Sequence, residues 1–234
     1  AAQSVGVSQA AYTEGLNYAR ERKQFDTNIV DFPAVYDMLS RMKAKLDAGR
    51  SILYQTARYV DIYKALDDIA RERKLTPEER AEQKKYMRLA DAFTPLAKGM
   101  NSEYANQNAY DAIQIHGGSG FIMEYKSQRL YRDARIFSIY EGTTQLQVVA
   151  AIRYITNGTY LGIMKEMLED EVAENLQPLK ERVAKLVERY EESVNNVKEC
   201  GNQDRQDFLA RRLYEMTAEI FMSLLIIADA SKAP

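Results

Sequence analysis

Apolar residues recur along most of the chain with the period of an α-helix. Apolar side chains recur at steps of three and four residues from Val35 to Tyr63, from Val172 to Val197 and from Leu209 to Ile227. This spacing places them on one face of each helix. No stretch shows convincing strand alternation, so the pattern predicts an all-α chain. The apolar faces would be buried by antiparallel packing of neighbouring helices in a bundle.

Proline, asparagine and glycine set the predicted ends of these helices. Pro33 opens one helix, and Thr76 with Pro77 and Glu79 has the arrangement of a capping box. The predicted elements are helices over 1–22, 33–74, 77–115, 125–133, 141–157, 162–198 and 204–231, with a glycine-rich loop over 116–120. Asn and Gly near 158 break the periodicity and predict a domain boundary there. A bundle domain over 1–157 would then carry an additional helical extension, 158–234, packed on it.

Composition argues against several classes of function. With 234 residues and 46% hydrophobic content, the chain can bury a substantial core. Its 32 basic and 34 acidic residues give a net charge of -2, which does not favour a nucleic-acid partner. One cysteine, Cys200, and one histidine, His116, argue against a disulfide within the chain and against a metal site.

The most apolar stretch, residues 220–230, is too short to cross a bilayer. We therefore expect a cytoplasmic protein without a membrane anchor. The chain starts within a helical pattern and without an initiating Met, so we expect a piece of a longer protein.

Two stretches depart from the plain bundle pattern without being specific. In "QIHGGSGF", residues 114–121, Gly117 and Gly118 could be helix C-caps or could let backbone N–H groups approach a ligand. In "ARERKQF", residues 19–25, a basic cluster precedes Phe25; alone, such a cluster is typical of a solvated helix end.

A third stretch, "RDARIFSIYEGTTQLQ", places Glu141 directly after an apolar, aromatic run. This carboxylate is either a helix-start residue or a base held in a poorly solvated pocket. Glutamate is not a favoured N-cap, and the preceding run predicts burial. Burial of an unpaired carboxylate raises its pKa, as a general base working near neutrality requires.

Together and in this order, "YARERKQF" and "QIHGGSGFIMEYKSQRLYRDARIFSIYEGTTQLQ" resemble the C-terminal helical domain of the acyl-CoA dehydrogenase family. The resemblance spans about residues 1–157 and implies a four-helix bundle. Residues 158–234 resemble the added helical segment of longer bacterial members. The family resemblance implies a flavoenzyme that oxidises acyl-CoA thioesters to 2,3-enoyl-CoA, with FAD as hydride acceptor.

The same resemblance implies roles for residues around the "YEGT" motif. Glu141 matches the base that removes the α-proton, and its backbone N–H would help to hold the thioester carbonyl. Gly142 matches a substrate-contacting position, and Thr143 and Gln145 match FAD contacts that follow the base.

Other matched residues reach the FAD of a neighbouring subunit. They are Arg22, Phe25, Gln114, Gly117 and Gly118. Sharing a cofactor in this way implies a homodimer or homotetramer, and the family implies an electron-transfer flavoprotein-like acceptor. Asp26 stands where the family usually has glycine, which leaves the conformation of this loop open.

The family's N-terminal and middle domains have no counterpart in this sequence, so we expect the chain alone to be inactive. Two other classes of function remain open. One is a related flavoprotein, either an acyl-CoA oxidase or an alkylation-response-like protein. The mixed charge of the last helices argues against the latter. The other is a helical interaction module that kept the fold and lost the activity.

Overall fold

The computed structural model describes residues 1–232, which confirm the expected all-α architecture. Within these residues no helix is both long and apolar enough to cross a membrane. The α-helices in chain order are α1 (Ala2–Glu21), α2 (Pro33–Glu72), α3 (Pro77–His116), α4 (Ser127–Ala134), α5 (Thr144–Thr156), α6 (Thr159–Glu169), α7 (Gln177–Glu199) and α8 (Gln203–Lys232). Short 3-10 turns cover Ile29–Asp31, Gly117–Phe121, Arg135–Ser138 and Glu174–Leu176.

The capping box predicted at the start of α3 is confirmed. The Thr76 backbone N–H donates to Glu79 Oε2 at 2.9 Å, and the Glu79 backbone N–H donates to Thr76 Oγ1 at 3.2 Å. Arg73 adds two hydrogen bonds to the same carboxylate, at 2.6 and 2.8 Å. Local sequence thus fixes this helix start, because both partners lie within one turn.

The single helix predicted over 162–198 is wrong. The structure has α6 and α7 instead, separated by a break over residues 170–176. Pro178 lies at the start of α7, where the lack of a backbone N–H is tolerated. The apolar spacing continues across residues 170–176, so the sequence pattern gave no sign of the break.

The buried face of α7 also differs from the predicted stripe. Leu179 and Leu186 belong to that stripe but are exposed, whereas Val187 is buried. The helix instead buries the set Val183, Val187, Tyr190, Val194 and Val197. Apolar side chains occur on more than one face of α7, so spacing alone did not identify the face that packs.

A two-stranded hairpin interrupts the predicted loop after α1. Strands β1 (Lys23–Gln24) and β2 (Thr27–Asn28) pair antiparallel across a turn formed by Phe25 and Asp26. Both turn residues have positive φ, 50° and 61°, as a two-residue hairpin turn of type I′ requires. Aspartate tolerates this conformation better than most residues do, so Asp26 supports the turn without a glycine. The expectation of a chain without strands misses this short element.

The described chain folds into two compact units. The first unit comprises residues 1–50 and 98–144, and the second comprises residues 51–97 and 145 onward. The domain boundary near 158 remains a prediction. The core of the first unit is formed by side chains of α1 to α4 and the 3-10 turn after α4, including Ala11, Leu39, Met42, Ala109 and Phe137.

The second unit has an aromatic core next to Pro95, a proline inside α3. Rings of Phe93, Tyr160 and Phe221 pack together with centroids 4.7 to 6.3 Å apart. Proline lacks an N–H and disturbs the hydrogen bonding of its helix. Tyr160 Oη donates to the Ala92 carbonyl at 2.5 Å, and Tyr214 Oη donates to the Pro95 carbonyl at 2.9 Å. These two hydrogen bonds attach α6 and α8 to the turn of α3 that contains Pro95.

The capping box makes stability depend on pH through Glu79. Hydrogen bonds from Arg73 and from the Thr76 backbone lower the pKa of Glu79 from 4.5 to about 2. A lowered pKa contributes stability that is present above pH 4.5 and lost as pH falls through 2. We expect Glu79→Gln to lower the thermal unfolding midpoint at about pH 7. The difference in midpoint between variant and wild type should be smaller at about pH 2.5. Thermal melts across this range measure both.

The neighbouring substitution Glu78→Gln is the matched control. Glu78 is exposed and lies in the same first turn of α3. Its substitution should leave the pH dependence unchanged. A gap for Glu79→Gln that stays constant from about pH 7 to about pH 2.5 would contradict the assignment.

Candidate functional site

The turn that carries Glu141 lies between the 3-10 turn Arg135–Ser138 and the start of α5. Glu141 has φ 52° and Gly142 has φ 92°. A left-handed conformation costs a residue with a side chain about 1–2 kcal/mol, so surrounding contacts must hold Glu141 in place. Strained backbone of this kind is concentrated at functional sites.

The expectation that Glu141 is buried is wrong for this chain. Its side chain is exposed, and so are those of Ile136 and Ile139 in the preceding apolar run. Phe137 is buried and Tyr140 is half-buried against the same core, so only part of the run packs inward. Glu141 is not a helix-start residue either, because α5 begins at Thr144.

A lysine on α3 holds this turn from both sides. Lys98 Nζ donates to the carbonyl oxygen of Phe137 at 2.9 Å and to that of Gly142 at 2.5 Å. Lys98 is buried, and the residue is 9% exposed. Burial lowers the pKa of Lys98, and the nearby carboxylates of Glu141 and Glu103 oppose this effect.

Two further side chains of α3 bind the same segment. Glu103 Oε1 accepts a hydrogen bond from Thr144 Oγ1 at 2.5 Å. Asn106 Nδ2 donates to the Ala134 carbonyl at 3.0 Å. The segment from 134 to 144 is therefore attached to α3 at its start, near Glu141 and at its end. Sequence reasoning missed all three α3 residues, although a lone cation in the apolar run "FTPLAKGM" was a usable signal for Lys98.

A second feature is a pocket of about 360 Å³ between the end of α1, the hairpin and the end of α3. Four of the residues predicted to contact FAD line it, namely Arg22, Gln114, Gly117 and Gly118. Phe25 does not line it and is 92% exposed in the hairpin turn. Thr143 and Gln145, on either side of Thr144, do not line it either.

His116 and Tyr18 also line this pocket, and their side chains pack against each other. Their rings stack with centroids 4.2 Å apart, and Tyr125 meets both rings edge-on. His116 Nδ1 lies 2.7 Å from the Ala112 carbonyl, which makes Nδ1 the protonated nitrogen. These contacts fix the end of α3, from which Gln114 and the glycines project. The roles of His116 and Tyr18 were not anticipated from the sequence.

The three glycines after α3 differ in why they are glycines. Gly117 has φ 60°, so the C-cap interpretation holds for it. At Gly120 an added Cβ would lie 2.7 Å from the Ile113 carbonyl and 2.8 Å from His116 Cβ. Gly118 has neither constraint, because its φ is not positive and an added Cβ would meet nothing within 4 Å. Open space and accessible backbone at Gly118 suit the close approach of a ligand.

Among residues 1–232, no cluster of three or more His, Cys, Asp or Glu side chains is placed to hold a metal ion.

Comparison with protein-family models gives two matches that together span the chain. A model described as "Acyl-CoA dehydrogenase, C-terminal domain" matches residues 1–155. A second, described as "Acyl-CoA dehydrogenase C terminal", matches residues 156–234.

Two curated relatives show what the chain is similar to. The caffeyl-CoA reductase-Etf complex subunit CarC of Acetobacterium woodii is 40% identical over 147 residues, covering 63% of this chain and 32% of that protein. The 3-methylmercaptopropionyl-CoA dehydrogenase of Ruegeria pomeroyi is 37% identical over 155 residues, covering 62% of this chain and 24% of that protein. The matched region thus spans at most about a third of these relatives.

A solved structure extends the similarity in fold to nearly the whole chain. Caenorhabditis elegans ACDH-11, determined in complex with C11-CoA, has a TM-score of 0.78 at 21% identity and covers 98% of this chain and 38% of its own. An acyl-CoA dehydrogenase of Bacillus anthracis complexed with FAD has a TM-score of 0.73 at 24% identity, covering 98% and 41%. At these identities the likeness shows the fold alone.

The glycines after α3 give a matched pair of stability predictions. We expect Gly120→Ala to destabilise the protein by about 1–3 kcal/mol, because its Cβ would overlap packed backbone. Gly118→Ala should change stability by no more than about 0.5 kcal/mol. Urea unfolding of both variants measures the difference. Equal destabilisation by the two substitutions would show that the close approach at Gly120 is misplaced.

Proposed function

The chain belongs to the acyl-CoA dehydrogenase family, and on that premise we propose that the protein of which it forms part is an FAD-dependent oxidoreductase acting on acyl-CoA thioesters. In the oxidative direction Glu141 would take the α-proton, and loss of the β-hydride as well would leave a 2,3-enoyl-CoA. The flavin, when bound, supplies the hydride acceptor. The chain contributes the base, the contacts that hold it, and part of the cofactor site.

The observation that carries this proposal is the placement of Glu141. Its carboxylate is exposed on a turn that contacts from α3 hold in a strained conformation. Among residues 1–232 its backbone N–H has no protein acceptor. Glu141 therefore offers two groups. Its carboxylate can take a proton, and its backbone N–H can bind the thioester oxygen. Removing an α-proton needs both, because negative charge develops on that oxygen.

The pocket beside Arg22 fits one part of a dinucleotide cofactor. A guanidinium can bind two phosphate oxygens at once, and the open backbone at Gly118 allows close approach. The volume of the pocket, about 360 Å³, is near the low end for small-molecule sites, so the rest of the cofactor would be held elsewhere. This agrees with a cofactor shared between the subunits of a homodimer or homotetramer.

The names of two relatives support both directions of the reaction and a flavoprotein as the electron partner. One relative is named as a reductase subunit in an Etf complex and another as a dehydrogenase. We infer that Glu141 can return the proton in the reductive direction, since the same group serves both directions of one step. The proposed partner is an electron-transfer flavoprotein. Oxygen uptake without an added acceptor would instead indicate an oxidase.

The main test is Glu141→Gln in the full-length protein. Glutamine keeps the size and hydrogen-bonding capacity of the side chain but cannot accept the α-proton. We expect flavin reduction by acyl-CoA to slow by about 10²- to 10⁴-fold while FAD and acyl-CoA remain bound. Stopped-flow bleaching of the flavin measures the rate. Glu124→Gln, an exposed glutamate in the preceding loop, is the control; near-wild-type reduction by Glu141→Gln would refute the assignment.

A second test concerns Arg22 and the cofactor. We expect Arg22→Ala in the full-length protein to weaken FAD binding by about 1.5–3 kcal/mol, the value of a hydrogen bond to a charged group. Acyl-CoA selectivity of the remaining holoenzyme should not change, because the contact is to phosphate. Arg20→Ala is the matched control, since Arg20 is exposed near the same helix end but does not line the pocket. Equal FAD retention in both variants would remove Arg22 from the site.

A further inference from the structure

We propose that Lys98 is a positioning residue, which sets the place of the Glu141 carboxylate by holding the backbone on both sides of it. This inference rests on the proposed role of Glu141 as the base. Lys98 itself need not touch substrate or cofactor. Its effect would be transmitted through the two carbonyl groups that it binds.

The geometry of the two hydrogen bonds brackets Glu141. Phe137, whose carbonyl lies 2.9 Å from Lys98 Nζ, precedes Glu141 by one turn of chain. Gly142, whose carbonyl lies 2.5 Å away, follows it directly. One ammonium group therefore ties the entry and the exit of the turn to a single point on α3. Moving that point would move the carboxylate with it.

The charge of Lys98 matters as well as its donors. Hydrogen bonds from an ionised donor are roughly twice as strong as neutral ones. They are stronger still when water is excluded, and the residue is 9% exposed. The ammonium also attracts the Glu141 carboxylate electrostatically. Methionine at this position would keep the apolar stem and lose both the charge and the donors.

Left-handed backbone at Glu141 explains why such a clamp is needed. Glu141 carries a side chain, so its φ of 52° is unfavourable. The backbone would relax toward commoner conformations unless contacts opposed the change. The carbonyl of Gly142 belongs to the residue immediately after this strained one, so its bond to Lys98 opposes that relaxation directly. Misplacing a reacting group by about 1 Å can cost on the order of 10²-fold in rate.

Asn106 provides a matched comparison on the same helix. It also donates from α3 to a backbone carbonyl of this segment, that of Ala134. Ala134 lies at the end of α4, outside the stretch that Lys98 brackets. Asn106→Leu therefore removes one α3 contact to the segment without releasing the turn at Glu141.

The experiment compares Lys98→Met, Asn106→Leu and Glu141→Gln in the full-length holoenzyme. Stopped-flow flavin reduction at saturating acyl-CoA gives the rate constant, and its substrate dependence gives the Kd. We expect Lys98→Met to lower the rate constant by about 10- to 100-fold, with FAD content and acyl-CoA Kd within about threefold of wild type. Asn106→Leu should change the rate constant by less than about threefold. This should hold even if its melting temperature falls as far as that of Lys98→Met.

An isotope effect separates positioning from a general loss of structure. With acyl-CoA deuterated at the α-carbon, Lys98→Met should show a larger kinetic isotope effect on flavin reduction than wild type, because proton removal becomes slower relative to other steps. Asn106→Leu should show the wild-type isotope effect. A merely structural role for Lys98 would lower the amount of holoenzyme and leave the isotope effect unchanged.

Each remaining outcome decides between the proposals. Wild-type reduction by Lys98→Met, beside slow reduction by Glu141→Gln, overturns the positioning role and leaves the function standing. Fast reduction by Glu141→Gln overturns the function itself. If Lys98→Met does not fold, Lys98→Gln replaces it, because a shorter neutral amide can still donate to one carbonyl. Reduction by Lys98→Gln at the wild-type rate and isotope effect would overturn the positioning role in the same way.

Discussion

Backbone carbonyls outside regular helices need donors, and this requirement governs the segment between α4 and α5. Helix α3 supplies the donors from one face. Lys98 binds two carbonyls around Glu141, and Asn106 binds the carbonyl of Ala134. Unsatisfied buried carbonyls are costly, so these contacts stabilise the segment in one conformation. The strained backbone at Glu141 lies between the two carbonyls that Lys98 binds.

The pocket at the other end of α3 is built on a different constraint. Gly120 allows the chain to pass within contact distance of the last turn of α3, and the stacked rings of Tyr18 and His116 hold that turn against α1. Arg22 and Gly118 line the pocket beside this packed turn, and both are exposed. Gly118 is exposed and Gly120 is packed against the end of α3, so two glycines of one short loop differ in what they tolerate.

Much of the candidate site could be found from its motifs. The stretches that include Arg22, Gln114 and Gly117 are far apart in sequence, yet the structure brings them to one pocket. Their contact with FAD stays a prediction. Lys98, Glu103 and Asn106 were not found in this way. Glu103 and Asn106 look like ordinary residues of an amphipathic helix, and only the apolar run around Lys98 sets that residue apart. Each of the three binds a carbonyl or hydroxyl in a distant segment. Spacing along α3 carries no information about that segment.

The sequence by itself determined the all-α fold class, most helix bounds and the capping box of Thr76 and Glu79, because these depend on residues within one or two turns of each other. It did not determine the hairpin turn at Phe25 and Asp26, the face that α7 buries, or the exposure of Glu141. Those outcomes depend on which distant residues cover a given surface. An apolar run predicts that something nearby is buried, but only tertiary packing decided that it is Phe137 and not the carboxylate four residues later.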